Sequence, residues 1–252
     1  MIKKINRRLT KYIIEKYPNW DASIALRYLT IIASIKRNFP AGIKILDVGS
    51  GEFGLATYIG DGYEITGTDI DFGEERQRGF RIVKASAEKL PFREGEFDVV
   101  VSVDMMEHLP QSIREKAVFE MVRVAKSKIY ISCPRGRFSK MIDRLLSKYY
   151  IFTHKTELEY LNEHEKHGLP SENSIERYIK NALKRYKRTS KVIKRGNTNA
   201  ILWFVLLLLG FSEVKIFTSL YHKLLLILPI LNLMHFWPTY RVEFEVNIKN
   251  NV

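Results

Sequence analysis

Short unbroken apolar runs punctuate the first half of the chain, at residues 43–48 (IKILDV), 97–103 (FDVVVSV) and 128–133 (KIYISC). Bounded by glycine or proline, runs of this length read as strands buried on both faces. Residues 63–69 (YEITGTD) and 80–85 fit the same description with more polar positions. Between the strands the pattern predicts helices over 53–59 and 112–125. The second opens on Ser112 with Glu115 three residues on, the spacing of a capping box. Apolar strands alternating with helices imply an α/β fold, with a parallel sheet covered on both sides.

Beyond residue 134 the period changes. Helical spacing without strands continues to about residue 210, and Ile175, Ile179, Leu183, Tyr186 and Ile193 fall on one side of it. The strand period returns at 212–219 (SEVKIFTS) and at 240–248, where Val242, Phe244 and Val246 alternate with Arg241, Glu243 and Glu245. This divides the chain into N-terminal helices (1–40), a sheet core (41–134), an inserted helical cap (135–210), and a closing segment (211–252). The closing segment supplies strands 6 and 7 around an apolar insertion at 221–238. Ile2, Ile5, Leu9, Ile13 and Tyr17 recur at helical spacing, as in an amphipathic helix packed on the core. Residues 200–209 are wholly apolar and 224–237 nearly so, yet both fall short of the roughly 20 residues a membrane-spanning helix needs.

Charge sharpens this division. The net +13 is concentrated in residues 1–44 (+8) and 135–195 (+9), whereas 45–134 carry −5. Excess of that size points to an anionic partner met by the flanking blocks rather than by the core. A single cysteine, Cys133, excludes a disulfide framework and a thiolate zinc cluster, which suits a reducing, cytoplasmic setting. The basic start lacks the apolar run of a secretory signal.

The candidate chemistry lies at strand ends, where open parallel sheets bind ligands. After the first strand comes Asp47-Val48-Gly49-Ser50-Gly51-Glu52-Phe53-Gly54, whose glycines let the backbone turn tightly and approach a ligand. Such turns also serve NAD, FAD and phosphates, or simply connect elements. Asp69, 20 residues after Gly49, ends the second strand. An acid there can accept both hydroxyl protons of a ribose, or cap the next helix. Residues 84–92 (KASAEKLPF) and 104–109 (DMMEHL) complete the set.

In order and spacing, these three segments resemble the motifs of class I S-adenosylmethionine-dependent methyltransferases, in the type 11-like branch with AExLPFxxxxFDxV and EHL. The resemblance is close over residues 41–134. It implies a Rossmann-like, doubly wound seven-stranded sheet of order 3-2-1-4-5-7-6, last strand antiparallel, with the helical cap inserted after strand 5. It also implies S-adenosyl-L-methionine as cofactor and S-adenosyl-L-homocysteine as product. Carried over residue by residue, it places the methionine part along Asp47, Gly49, Ser50 and Gly51, the ribose on Asp69, and the adenine against Ile70, Ser86 and the Ala87 backbone, with Val103 in the same cofactor-binding set. The chain departs from the family at Ser86, often acidic there, and at Phe53, where many members have a third glycine that Gly54 replaces. NAD fits less well, because GxGxxG is missing and KASAEKLPF is present.

Methyl transfer from a sulfonium needs orientation above all, and a hydroxyl acceptor also needs a proton acceptor. Asp104 and His108 are the catalytic candidates, with His154, His164 and His167 in the cap behind them. Each has a structural alternative, Asp104 and Glu107 orienting their loop and His108 packing in it. His164 and His167 stand one helical turn apart beside Glu163, a spacing open to metal ligation, but no second ligand pair accompanies them and no metal site is assigned. Arg177, Lys180, Lys184, Arg185, Lys187, Arg188, Lys191, Lys194 and Arg195 make the cap cationic. Together with the apolar stretches they favour a small or lipophilic anionic acceptor, and peripheral contact with an anionic membrane surface, over a nucleic acid. RNA methylation and a non-catalytic S-adenosylmethionine-binding module are the alternatives.

Overall fold

The computed structural model describes residues 8, 9, 11–13, 15–52, 54–72 and 80–249. The expected contributions of Ile2, Ile5 and Phe53 lie outside them. Seven strands form one sheet: β1 (Lys44–Val48), β2 (Glu64–Asp69), β3 (Arg81–Lys84), β4 (Phe97–Val103), β5 (Ala125–Pro134), β6 (Thr189–Asn199) and β7 (Thr239–Lys249). Their order is β3-β2-β1-β4-β5-β7-β6. Neighbours among β1 to β5 pair in parallel, and β7 runs antiparallel to both β5 and β6. This is the order and the antiparallel last strand expected from the sequence. The helices are α1 (Ala22–Asn38), α2 (Ala56–Ile59), α3 (Gln111–Val124), α4 (Gly136–His154), α5 (Glu159–His167), α6 (Glu172–Arg185), α7 (Ala200–Gly210), α8 (Lys215–Lys223) and α9 (Leu228–Leu231), with a 3-10 turn at Leu224–Ile227.

Strand alternation splits each apolar run between two cores. Leu46, Val48 and Val100 face a layer built by α3 and α6 through Met121, Ile175 and Ile179. Ile45, Val99 and Val101 face α1 through Leu26, Ile31 and Ile35, and Ile13 is buried on the same side. A third cluster, Ile142, Leu146, Leu161, Trp203 and Leu207 with Tyr240, joins α4, α5 and α7 to the start of β7. None of the helices among the described residues is long and apolar enough to cross a membrane.

The structure corrects three expectations. The capping box does not form: α3 starts after Pro110, Ser112 lies inside the helix, and Glu115 accepts from Asn181 Nδ2 at 2.8 Å. Proline, with φ already held near the helical value, sets the start. The helix expected over 53–59 is confined to Ala56–Ile59, because the chain before it is held down by a backbone hydrogen bond from Leu55 to Asp47. The sixth strand is Thr189–Asn199, inside the segment read as all-helical, whereas 212–219 leads into α8. As an edge strand exposed on both faces over most of its length, β6 shows no apolar alternation that period-two reading could detect. Ile193 therefore belongs to a strand, not to the apolar face of α6.

The same rearrangement internalises part of the basic block. Arg195 pairs with Glu243 and Glu245 of β7, Lys194 reaches Glu176 at 2.8 Å and Glu172 at 3.1 Å, and Arg188 donates to the carbonyls of Val122 and Ala125.

Candidate functional site

The parallel strands β1, β2 and β4 end on one side of the sheet, around the point where strand order reverses. Between them opens a cavity of about 420 Å³. The turn after β1 forms its floor. Gly49 (φ +75°) and Gly51 (φ +54°) take left-handed conformations that side chains resist, and a Cβ on Gly49 would stand 2.5 Å from Met105 Cγ. Asp69 ties this turn to β2, accepting from Gly51 N–H at 2.9 Å through Oδ2 and from Ile70 N–H at 2.7 Å through Oδ1. Ile70 leaves its side chain 68% exposed at the rim.

Of the cofactor-binding residues named from the sequence, Gly49, Asp69, Ile70, Ser86 and Ala87 line the cavity. Asp47, Ser50, Gly51, Gly54 and Val103 are outside its lining. Asp47 is fully buried beneath the turn. Its Oδ2 accepts from Leu55 N–H at 2.7 Å and from the Tyr28 hydroxyl at 3.4 Å, while Oδ1 has no partner. Burial pushes its pKa up to about 7. Gly54 is a packing requirement, since a Cβ there would approach Asp47 Oδ2 to 2.4 Å. Ser50 and Val103 are buried supports.

The two catalytic candidates differ sharply. Asp104, itself at φ +50°, is gripped by Arg241, whose Nε donates to both carboxylate oxygens at 2.8 Å and whose Nη2 lies 2.7 Å from Oδ2. Arg27 adds a contact at 3.3 Å. Burial works against its charge, but Arg241 and Arg27 outweigh burial and hold the carboxyl below its usual range, a poor property for a base. His108 lines the cavity and pairs through Nδ1 with Glu163 Oε2 at 2.7 Å. Burial, then the neighbouring His164, lowers its pKa, so the ring is neutral at pH 7. With Nδ1–H donated to Glu163, Nε2 carries a free lone pair.

Behind His108 lies a buried polar cluster. Glu107 is fully buried and neither carboxylate oxygen has a hydrogen-bond partner. Burial, then Asp104, raises its pKa well above the usual range. His164 Nδ1 lies 3.0 Å from Asp143 Oδ2, Tyr240 donates to Asp143 Oδ1 at 2.5 Å, and His164 Nε2 has no partner. His154 stacks on Tyr150 and His167 offers only its carbonyl, to Arg114, so neither joins the group. Sequence reading missed the roles of Glu163 and Asp143, which meet histidines 55 and 21 residues away. Local spacing carries no signal for contacts of that kind.

A second cavity, of about 350 Å³, opens between α4 and α5, with Lys140, Arg144 and Lys148 on its wall. Beside it Met141 and Leu145 are exposed, and Phe138 meets Trp237 edge to face at 5.4 Å, linking α4 to the exposed Phe236 and Trp237.

A family model described as a methyltransferase domain matches residues 46–133. An uncharacterized methyltransferase of Mycobacterium sp. (strain JLS) is 39% identical over 93 residues, 34% of this chain and 36% of that protein. The sarcosine/dimethylglycine N-methyltransferase of Aphanothece halophytica is 33% identical over 123 residues, 44% of this chain and 43% of that protein. The chain thus spans about two fifths of the length of these curated relatives. Among solved structures, the plantazolicin methyltransferase BpumL, in complex with a triazolic desmethylPZN analog and SAH, superposes with a TM-score of 0.55 at 13% identity, over 97% of this chain and 91% of that one.

Proposed function

We propose that this chain, whose residues 46–133 form a class I S-adenosylmethionine-dependent methyltransferase domain, transfers a methyl group from that cofactor to an acceptor entering beside His108. The observation that carries the reading is the cavity at the ends of β1, β2 and β4, walled by Gly49, Asp69, Ile70 and the Ser86–Ala87 backbone. These residues fit the cofactor. A glycine pressed against Met105 opens the floor, an exposed isoleucine offers an apolar face to a purine, and Asp69 keeps lone pairs free beyond its two backbone hydrogen bonds. When bound, S-adenosylmethionine supplies an electrophilic methyl carbon; the acceptor's lone pair forms the new bond as the carbon–sulfur bond breaks and its electrons return to sulfur.

The protein's own part is orientation. Asp104 anchors Arg27 and Arg241 and so shapes the end of β4, and His108, held by Glu163, presents Nε2 to the acceptor. Ser86 serves through its hydroxyl and the neighbouring backbone, in place of the carboxylate often found there.

For the acceptor, the reading is a small or lipophilic anionic molecule presented at a membrane surface. Its support is the face where Lys140, Arg144 and Lys148 adjoin Phe236 and Trp237, because cations beside exposed aromatic and aliphatic groups suit an anionic interface. Calorimetry with S-adenosylmethionine on wild type and Asp69→Ala tests the cofactor site. Tight binding lost in the variant is expected, and equal affinity or no binding by wild type removes the assignment. Labelled methyl transfer into a cell extract split into lipid, RNA, protein and small-molecule fractions tests the acceptor. Label in the lipid or small-molecule fraction supports the reading, label in RNA replaces it, and no label with the cofactor bound returns the chain to a non-catalytic binding module.

A further inference from the structure

We propose that Glu107, His108 and His164 form a binding site for one divalent transition-metal ion of the zinc type at the inner wall of the cavity. One ligand atom from each of the three lies within 4.8 Å of the others. Two independent features mark these atoms as ligands rather than incidental neighbours. Both carboxylate oxygens of Glu107 and Nε2 of His164 are buried with no partner, a state that costs about 1–3 kcal/mol for each unsatisfied group. Each histidine also has its other nitrogen on a carboxylate, His108 Nδ1 on Glu163 at 2.7 Å and His164 Nδ1 on Asp143 at 3.0 Å. That carboxylate–histidine arrangement fixes the tautomer so that Nε2 carries the lone pair, and it raises ligand basicity. Tyr240 extends the chain by donating to Asp143 at 2.5 Å.

The donor set, two imidazoles and one carboxylate, matches the three-ligand sites of catalytic zinc, in which a further position stays open. Glu107 Oε1 and His164 Nε2 stand 4.0 Å apart. Tetrahedral bonds of about 2.0–2.1 Å put donors about 3.3 Å apart, so closure takes a contraction of about 0.7 Å. His108 faces the cavity while Glu107 and His164 lie behind it, which directs the open position toward the space assigned to the acceptor. A positive ion there also compensates the Glu107 carboxylate, for which the described residues supply no hydrogen-bond donor. Resting on the methyltransferase reading, the ion would hold an acceptor oxygen beside His108, whose Nε2 then acts as a ligand rather than a base.

The test is metal binding by the full-length protein, stripped with a chelator and dialysed. Titration with Zn²⁺ against a chromophoric chelator, and with Co²⁺ followed by visible absorption, should show one ion per chain. Glu107→Gln removes the charge without leaving a hole, and it should weaken Zn²⁺ binding by more than about 100-fold with unchanged circular dichroism. Glu163→Gln, which alters only the partner of His108, should weaken it about 10- to 100-fold. No stoichiometric binding by wild type overturns the proposal, as does binding that Glu107→Gln and His108→Ala both leave intact. Calorimetry with S-adenosylmethionine on the same metal-free protein reads the cofactor site separately, so loss of one result is not mistaken for loss of the other.

Discussion

Replacing Asp47 by asparagine isolates one buried carboxyl and predicts a stability change whose size depends on pH. Burial raises its pKa from 3.8 to about 7, against the hydrogen bond from Leu55 and the weaker one from Tyr28. The folded chain therefore holds this proton more tightly than the unfolded chain does. Because the unfolded state binds fewer protons across that window, stability falls as pH rises from about 4 to about 7 and is flat above it. At 1.36 kcal/mol per unit the whole shift amounts to about 4 kcal/mol, of which about 3 kcal/mol is lost between pH 5 and pH 8. Asparagine accepts from Leu55 N–H in the same way and has no proton to lose. Between pH 5 and pH 8 Asp47→Asn should therefore gain about 3 kcal/mol relative to wild type, or about 6–12 °C in Tm for a chain of this size. Thermal and urea melts of both proteins at pH 5, 6, 7 and 8 measure it. Parallel profiles would refute the assignment of a desolvated carboxyl beneath the glycine turn.

Arg241→Met should cost about 3–5 kcal/mol in urea denaturation, since it leaves the buried Asp104 with only the 3.3 Å contact to Arg27; adding Asp104→Asn should recover part of the loss. Gly49→Ala should lower stability by about 1–3 kcal/mol and weaken S-adenosylmethionine binding in calorimetry, because it strains a backbone at φ +75° and drives a methyl group against Met105. Combining it with Met105→Ala should relieve the steric part alone. The double change Phe236→Ser and Trp237→Ser should leave Tm unchanged, as both side chains are largely exposed, while reducing co-sedimentation with anionic vesicles several-fold. Equal sedimentation by this variant and wild type would remove the membrane face.

What was legible in the sequence tracks burial and chain proximity. Strands β1, β4 and β5 were readable because both faces of each are covered, leaving unbroken apolar runs between breaking residues. The cavity's glycine turn and Asp69 were readable because their requirements are local: a left-handed backbone, and an acid at the next strand end. Strand β6 was not, since an edge strand with one apolar-poor face after another looks like a charged helix, and its cations find their carboxylates on β7 only once the sheet forms. Asp104 looked like a base because its position near the cofactor was legible, whereas the arginines that neutralise it, 77 residues earlier and 137 later, were not.

The same distance explains where the chemistry of this chain is decided. The cofactor half of the cavity is built from adjacent strand ends, and its residues sit within about 40 positions of one another. The acceptor half is assembled across the fold, with Glu107 and His108 following β4, Glu163 and His164 on α5, and Asp143 on α4 braced by Tyr240 at the start of β7. The fold thus separates a cofactor floor with local sequence rules from an acceptor wall supplied by the segment between β5 and β6. Since Glu163 and His164 are consecutive on one helix, moving α5 would displace the partner of His108 and a ligand of the proposed ion together. Sequence change in that segment can therefore alter the acceptor while Gly49, Asp69 and the strand ends remain as they are.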